Sequence, residues 1–358
     1  MFPALAAERE LDRARLADLE RSISELESKK KLVLDRLDSY KYPVLTLPNE
    51  ITTEIFIHFL PTYPSCPLLT GLDTPTVLTQ ICHQWREIAL ATPALWRAIS
   101  FSEPYPSSFY FELHERLCNI RLSRSRSYPL SLELEEDCLD RKHTTELLST
   151  LAVHRARWEH LDFHLSLSRL GAIAGPLPLL RSLDLFVDNP DDGDDDTAEI
   201  SFLNAPLLRT VVLNDTAAKN ITPPWAQLTS LTLHALYPRE CAPILKLSPN
   251  LVHCELNLAS EDDGAEDFPN IYLSSLRSFT LTGDPATGYL ETFVVPALRS
   301  FEISEPYIDP DCIDTLASFL AKSRCKLQEL RITDRVSVAE ESYREAFPLV
   351  KVSFDEND

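Results

Sequence analysis

Hydrophobic and polar positions follow two different rhythms along this chain. From PLSLELE (129–135) onward they alternate by two, the spacing of a strand buried on one face. A motif L-x-x-L-x-L then recurs as WEHLDF (158–163), LRSLDL (180–185), LRTVVL (208–213) and LTSLTL (228–233). It continues as LVHCEL (251–256), LRSFTL (276–281), LRSFEI (298–303) and LQELRI (327–332), with final positions 20 to 29 residues apart. That is the period at which single strands stack into a solenoid. One such strand cannot bury its Leu side chains alone, so the repeat predicts neighbours that close a continuous core. Pro-containing lead-ins (PLPLLRS, APLLRT, SPNLVH, VPALRS) predict the turns into most strands, and helices are expected at 144–156 and 312–324.

Upstream, the spacing becomes three and four. Residues 5–40 contain no Gly or Pro, and Leu16, Leu19, Ile23, Leu26, Lys30, Val33 and Leu37 fall at heptad a and d positions. With only three heptads and a Lys at one a position, we expect an amphipathic helix that folds back on its own chain. The alternative is a homodimeric coiled coil. Pro43 ends this helix. Two shorter helices are predicted next. LTLPNEITTEIFIHFLP starts at Pro48 and carries Ile51, Ile55 and Phe59 as one apolar stripe. TVLTQICHQWREIALATPALWRAI carries Val77, Ile81, Trp85 and Ile88 as a second face, beyond a Pro-rich spacer at 61–75. Helices this short bury little surface alone, so the block needs partner surface. A further helix is predicted at 108–125.

In this block L-P-x-E-I-x-x-E-I-F, then V-x-x-Q-x-C-x-x-W-R-x-I-A and P-x-L-W, resembles an F-box. It is most similar to the large fungal F-box family, whose upstream helix ends in a junction like YKYPVLTLP (40–48). The resemblance covers about residues 20–101 and departs from the shortest F-boxes by the spacer at 61–75. It implies a non-enzymatic, substrate-recruiting adaptor subunit of an SCF (Skp–cullin–F-box) ubiquitin ligase. Leu47, Pro48, Ile51, Ile55, Val77, Ile81, Cys82 and Trp85 would form or support the surface that meets the Skp-type adaptor, and through it a cullin–RING ligase. The cysteine chemistry of ubiquitin transfer would belong to other subunits, and this chain would act by concentrating a protein substrate near them. The expected architecture is an N-terminal helix (1–42), an all-α F-box (43–101), a linker helix (102–128) and an α/β solenoid (129–358). The solenoid is expected to be a curved parallel sheet of irregular leucine-rich repeats, because the Asn that usually follows each strand is missing from most units. The competing reading is a protein-interaction scaffold outside any ligase, built on the same solenoid.

Alternation places His160, Asp162, His164, Asp184, His234, His253, Glu255, Glu302, Glu329 and Arg331 outward on the concave face, with small hydroxyl residues between them. A mildly acidic surface of this kind suits a basic or extended protein segment. His160, Asp162 and His164 share a face and invite a metal reading, but Cys138 or His143 would have to supply a fourth ligand from elsewhere. We therefore expect solvated side chains, with no metal and no cofactor. DNPDDGDDDTAE (188–199) has the EF-hand spacing of Asp188, Gly193 and Glu199, but Pro190 replaces the third ligand. It and EDDGAED (261–267) are expected to be solvated acidic loops.

The formal net charge of −21 disfavours nucleic acid and anionic lipid as partners, leaving Arg121, Arg124 and Arg126 as the one basic cluster. The eight cysteines are scattered without a C-x-x-C pair and read as reduced thiols. Neither glycine-rich phosphate-loop signature occurs, nor G-x-S-x-G. The N-terminus lacks a secretory apolar core and no stretch approaches transmembrane length, so a cytoplasmic or nuclear protein is expected.

Overall fold

The computed structural model describes residues 2–39, 43–102, 108–138, 141–188, 200–202, 204–260, 268–286, 288–334 and 338–355. Eleven parallel strands form one open, curved sheet in chain order. They are Ala98–Phe101 (β1), Leu130–Glu135 (β2), Trp158–Ser166 (β3), Ser182–Asp188 (β4), Thr210–Asn214 (β5) and Ser230–Leu236 (β6). His253–Leu258 (β7), Ser278–Gly283 (β8), Ser300–Ser304 (β9), Glu329–Thr333 (β10) and Lys351–Phe354 (β11) complete it. All eight repeated motifs lie on strands, β3 to β10.

Register explains why the motif is so regular. Leu132, Leu161, Leu183, Val211, Leu231, Cys254, Phe279, Phe301 and Leu330 align across β2 to β10 as one buried row. Leu134, Phe163, Leu185, Leu213, Leu233, Leu256, Leu281, Ile303 and Ile332 form the second. None of these eighteen side chains is more than 3% exposed. Burying each Leu or Phe contributes about 1.5–3 kcal/mol. A turn ahead of each strand adds a third apolar row. The N–H groups of Leu180, Leu208, Leu228, Leu251, Leu276 and Leu298 each donate to the carbonyl three residues earlier, and all six side chains are buried.

The connections complete the core from the other side. Arg141–Ala152 and Cys312–Ser323 are the helices expected there, and Leu147, Leu148, Leu151, Leu316 and Phe319 bury their inner faces. Ser108–Arg124 was expected as a linker helix. Instead it is the crossover between β1 and β2, with Cys118 and Leu122 inside the main core. The stretch 98–101, grouped above with the helical block, is the first strand of the sheet, because Ala98 to Phe101 pair with Ser131 to Leu134.

Two expectations fail upstream. The N-terminal helix, α1 (Phe2–Ser39), does not fold back: every residue from 9 to 37 is exposed. The second helix of the small block is two helices, α3 (Pro75–Ile81) and α4 (His83–Ala91), following α2 (Asn49–Phe59). Cys82 is extended at the break, where its Sγ accepts the Trp85 N–H at 3.4 Å and caps α4. Arg86 Nε donates to the Thr79 carbonyl at 2.7 Å, which stabilises the break. Val77, Ile81, Trp85 and Ile88 therefore do not share one face: Ile81 is exposed and Ile88 is buried.

Candidate functional site

Two surfaces concentrate the residues that the sequence singles out. The first belongs to the small helical block, which has a core of its own. Phe56, Leu78, Ile88, Ala89, Leu95 and Trp96 fill it, and Trp85 packs against Phe56 edge to face at 4.9 Å. The Trp96 indole N–H donates to the Ala89 carbonyl at 2.9 Å. With that core filled by Phe56, the apolar stripe of α2 is left outside. Ile51, Ile55 and Phe59 are 49%, 45% and 42% exposed, and Ile81, at the end of α3, is 55% exposed.

The eight residues expected to meet an adaptor thus divide. Pro48, Ile51, Ile55 and Ile81 are exposed, whereas Leu47, Val77, Cys82 and Trp85 are half-buried. Cys82 and Trp85 act inside the block, the first as the α4 cap and the second as part of the core wall.

The Pro-rich spacer is what ties this block to the sheet. Leu68 bridges Ser100, so the spacer touches the open edge of β1. The Arg121 guanidinium, 1% exposed, donates to the carbonyls of Pro67, Leu68, Leu69 and Ala98. Tyr63 lies under Arg97 at 3.5 Å and donates its hydroxyl to Glu159 at 2.7 Å. Burial and that carboxylate push the Tyr63 hydroxyl well above its usual range, so it stays a donor. Of the three arginines read as a basic cluster, Arg121 is thus an internal clamp and Arg124 stacks on Trp96 at 4.4 Å. Nothing in the sequence pattern marked Arg121 for burial. Its spacing of four and three residues from Leu117 and Cys118 put it on their helix face, which by itself does not distinguish a buried Arg from an exposed one.

The second surface is the solvent face of the sheet, where register produces two continuous rows that are polar at every position but Val212. One runs Ser131, His160, Ser182, Thr210, Ser230, His253, Ser278, Ser300, Glu329, Lys351. The other runs Glu133, Asp162, Asp184, Val212, Thr232, Glu255, Thr280, Glu302, Arg331, Ser353. The outward residues expected from alternation all occupy this face, His164 and His234 one pleat further along β3 and β6.

The ends of this face differ in charge. Toward β10, Arg331 meets Glu302 at 3.8 Å and Asp355 at 3.2 Å, and Lys351 meets Glu329 at 3.1 Å. Toward β2, Glu133, Asp162 and Asp184 stand abreast, at the opposite end of their row from Arg331. Partial burial, then the Asp162 charge, pushes the Asp184 carboxyl up to about 6, and its Oδ1 has no hydrogen-bond partner. Asp162 is shifted upward for the same reason, by lost solvation and then by Glu133 and Glu135.

His160 and His164 are engaged separately. His160 meets the Tyr63 ring at 5.4 Å, and burial lowers its pKa. His164 Nε2 lies 2.6 Å from Asp188, and the Phe186 and His234 rings meet at a tilt, with centroids 5.4 Å apart. Among the described residues, no group of three His, Cys, Asp or Glu side chains is arranged to hold a metal ion. The side chain of Cys138 and the loops 189–199 and 261–267, which carry the EF-hand-like pattern and its sibling, lie outside the described residues. No described helix is long and apolar enough to cross a membrane.

Compared with known protein families, the chain matches no family model, and no curated protein matches it.

Proposed function

We propose that this chain is a substrate-recruiting F-box adaptor of an SCF ubiquitin ligase, with the small helical block as its handle and the leucine-rich solenoid as its reader. One observation carries the reading: the helical block fills its own core yet leaves Ile51, Ile55, Phe59 and Ile81 exposed. An exposed apolar helix stripe marks a protein contact, and the position of the α2 stripe matches the F-box resemblance. The Skp-type adaptor is the partner that this resemblance names. The solvent face of the sheet would hold the substrate, with Glu133, Asp162 and Asp184 favouring a basic segment.

The test is a pull-down of the full chain with a purified Skp-type adaptor, comparing wild type with Leu47→Ala/Pro48→Ala and with Ile51→Asp/Ile55→Asp. Both variants should lose binding while retaining the wild-type unfolding transition. Wild type that fails to bind would overturn the ligase reading in favour of the scaffold.

A further inference from the structure

In a 38-residue helix, every described side chain from 9 to 37 is exposed, and that calls for an explanation. Leu16, Leu19, Ile23, Leu26, Val33 and Leu37 form a single seam along α1, and each is about half exposed or more. We infer that α1 pairs with α1 of a second copy of this chain as a parallel, in-register coiled coil.

The charges beside the seam select both the partner and the direction. With Leu16, Ile23, Lys30 and Leu37 at a, the e positions hold Glu20 and Glu27, and the g positions hold Arg15, Lys29 and Arg36. In a parallel pair each g residue faces the e residue five positions later on the partner helix. Arg15 then meets Glu20 on both sides of the dimer, and the Lys29 stem covers Leu34. An antiparallel pair instead sets e against e and g against g, so Glu20 would face Glu27 and Arg15 would face Arg36. The other direction is thus opposed by like charges on both flanks. Lys30 at a central a position weakens the seam, and a single polar residue there fixes register.

Direction has a geometric consequence. Ser39 and Pro43 are joined by four residue steps, at most about 14 Å. A parallel pair therefore brings two helical blocks, each with its exposed Ile51 and Ile55, to the same end of the coiled coil. An antiparallel pair in the register above would set Ser39 opposite about residue 10 of the other helix and so separate the two attachment points by about 43 Å along the seam.

Light scattering on the full chain tests this independently of any adaptor. At micromolar concentration the wild type should run at twice its 40.6 kDa, and Leu19→Asp/Leu26→Asp should run as a monomer with an unchanged unfolding transition. Arg15→Glu should raise the dimer dissociation constant roughly tenfold, and Arg15→Glu/Glu20→Arg should restore it. Leu19→Cys should cross-link under mild oxidation, since only a parallel pair brings the two positions together. A monomeric wild type, or a dimer that survives Leu19→Asp/Leu26→Asp, would overturn the proposal. A dimer that Leu19→Cys fails to cross-link would overturn its direction.

Discussion

Leu19, Ile23 and Leu26 on α1 and Leu231 and Leu233 on β6 belong to equally regular apolar patterns, yet the first three are more than half exposed and the other two are sealed. Periodicity tells which residues share a face. Whether that face is covered depends on a second layer, and each strand has one in the turns, helices and neighbouring strands of adjacent coils. Among the described residues, the side chains of α1 from 9 to 37 have none within their own chain. The α2 stripe behaves like α1: Ile51, Ile55 and Phe59 stay outside because Phe56 has already filled the core of the small block.

Substitutions can widen or close this contrast. The largest effect is expected at Phe279, buried and packed between Phe293 at 4.9 Å and Phe301 at 5.5 Å. Phe279→Ala should lose about 3–5 kcal/mol in urea unfolding, because neighbouring coils cannot close the cavity.

A middling effect, of opposite sign, is expected on the solvent face. The Asp184 carboxyl is raised to about 6 in the folded chain, so the folded state holds its proton more tightly than the unfolded state does. Stability should therefore fall as pH rises from the ordinary carboxylate range through about 6. Asp184→Asn should gain on the order of 1 kcal/mol at pH 7, after allowance for solvent screening. Most of that gain should vanish at pH 4, as urea midpoints at the two pH values would reveal.

The smallest effect is expected on α1. At concentrations where the wild type is monomeric, Leu19→Asp/Leu26→Asp should change the unfolding free energy of the sheet by less than about 0.5 kcal/mol. A larger loss would mean that the helix does pack against the rest of the molecule.

The strands β3 to β10 were legible because a two-residue alternation repeats at nearly constant spacing, and each repeat supports the reading of the next. β1 (AISF) and β11 (KVSF) were not, because four residues without the full motif carry too little pattern. The break at Cys82 was hidden for a different reason. No Gly or Pro marks it, and it depends on a thiol cap and on Arg86 reaching back to Thr79. In most repeats the strand-following Asn is absent. Where it occurs, Asn214 shows its use, accepting the Val187 and Ala217 N–H groups and donating to the Val187 carbonyl.

The amino-acid pattern by itself determined the stacked strands, the two faces of the sheet, the amphipathic helices and the candidate residues on each. Those follow from local geometry, since side-chain direction is set by strand or helix period alone. Only the tertiary structure decided that α1 stands uncovered, that the spacer and Arg121 bind the helical block to β1, and that three carboxylates align at one end of the sheet. The last two depend on residues far apart in the chain meeting across a register that no local period specifies, and the first on whether any distant segment supplies a covering layer.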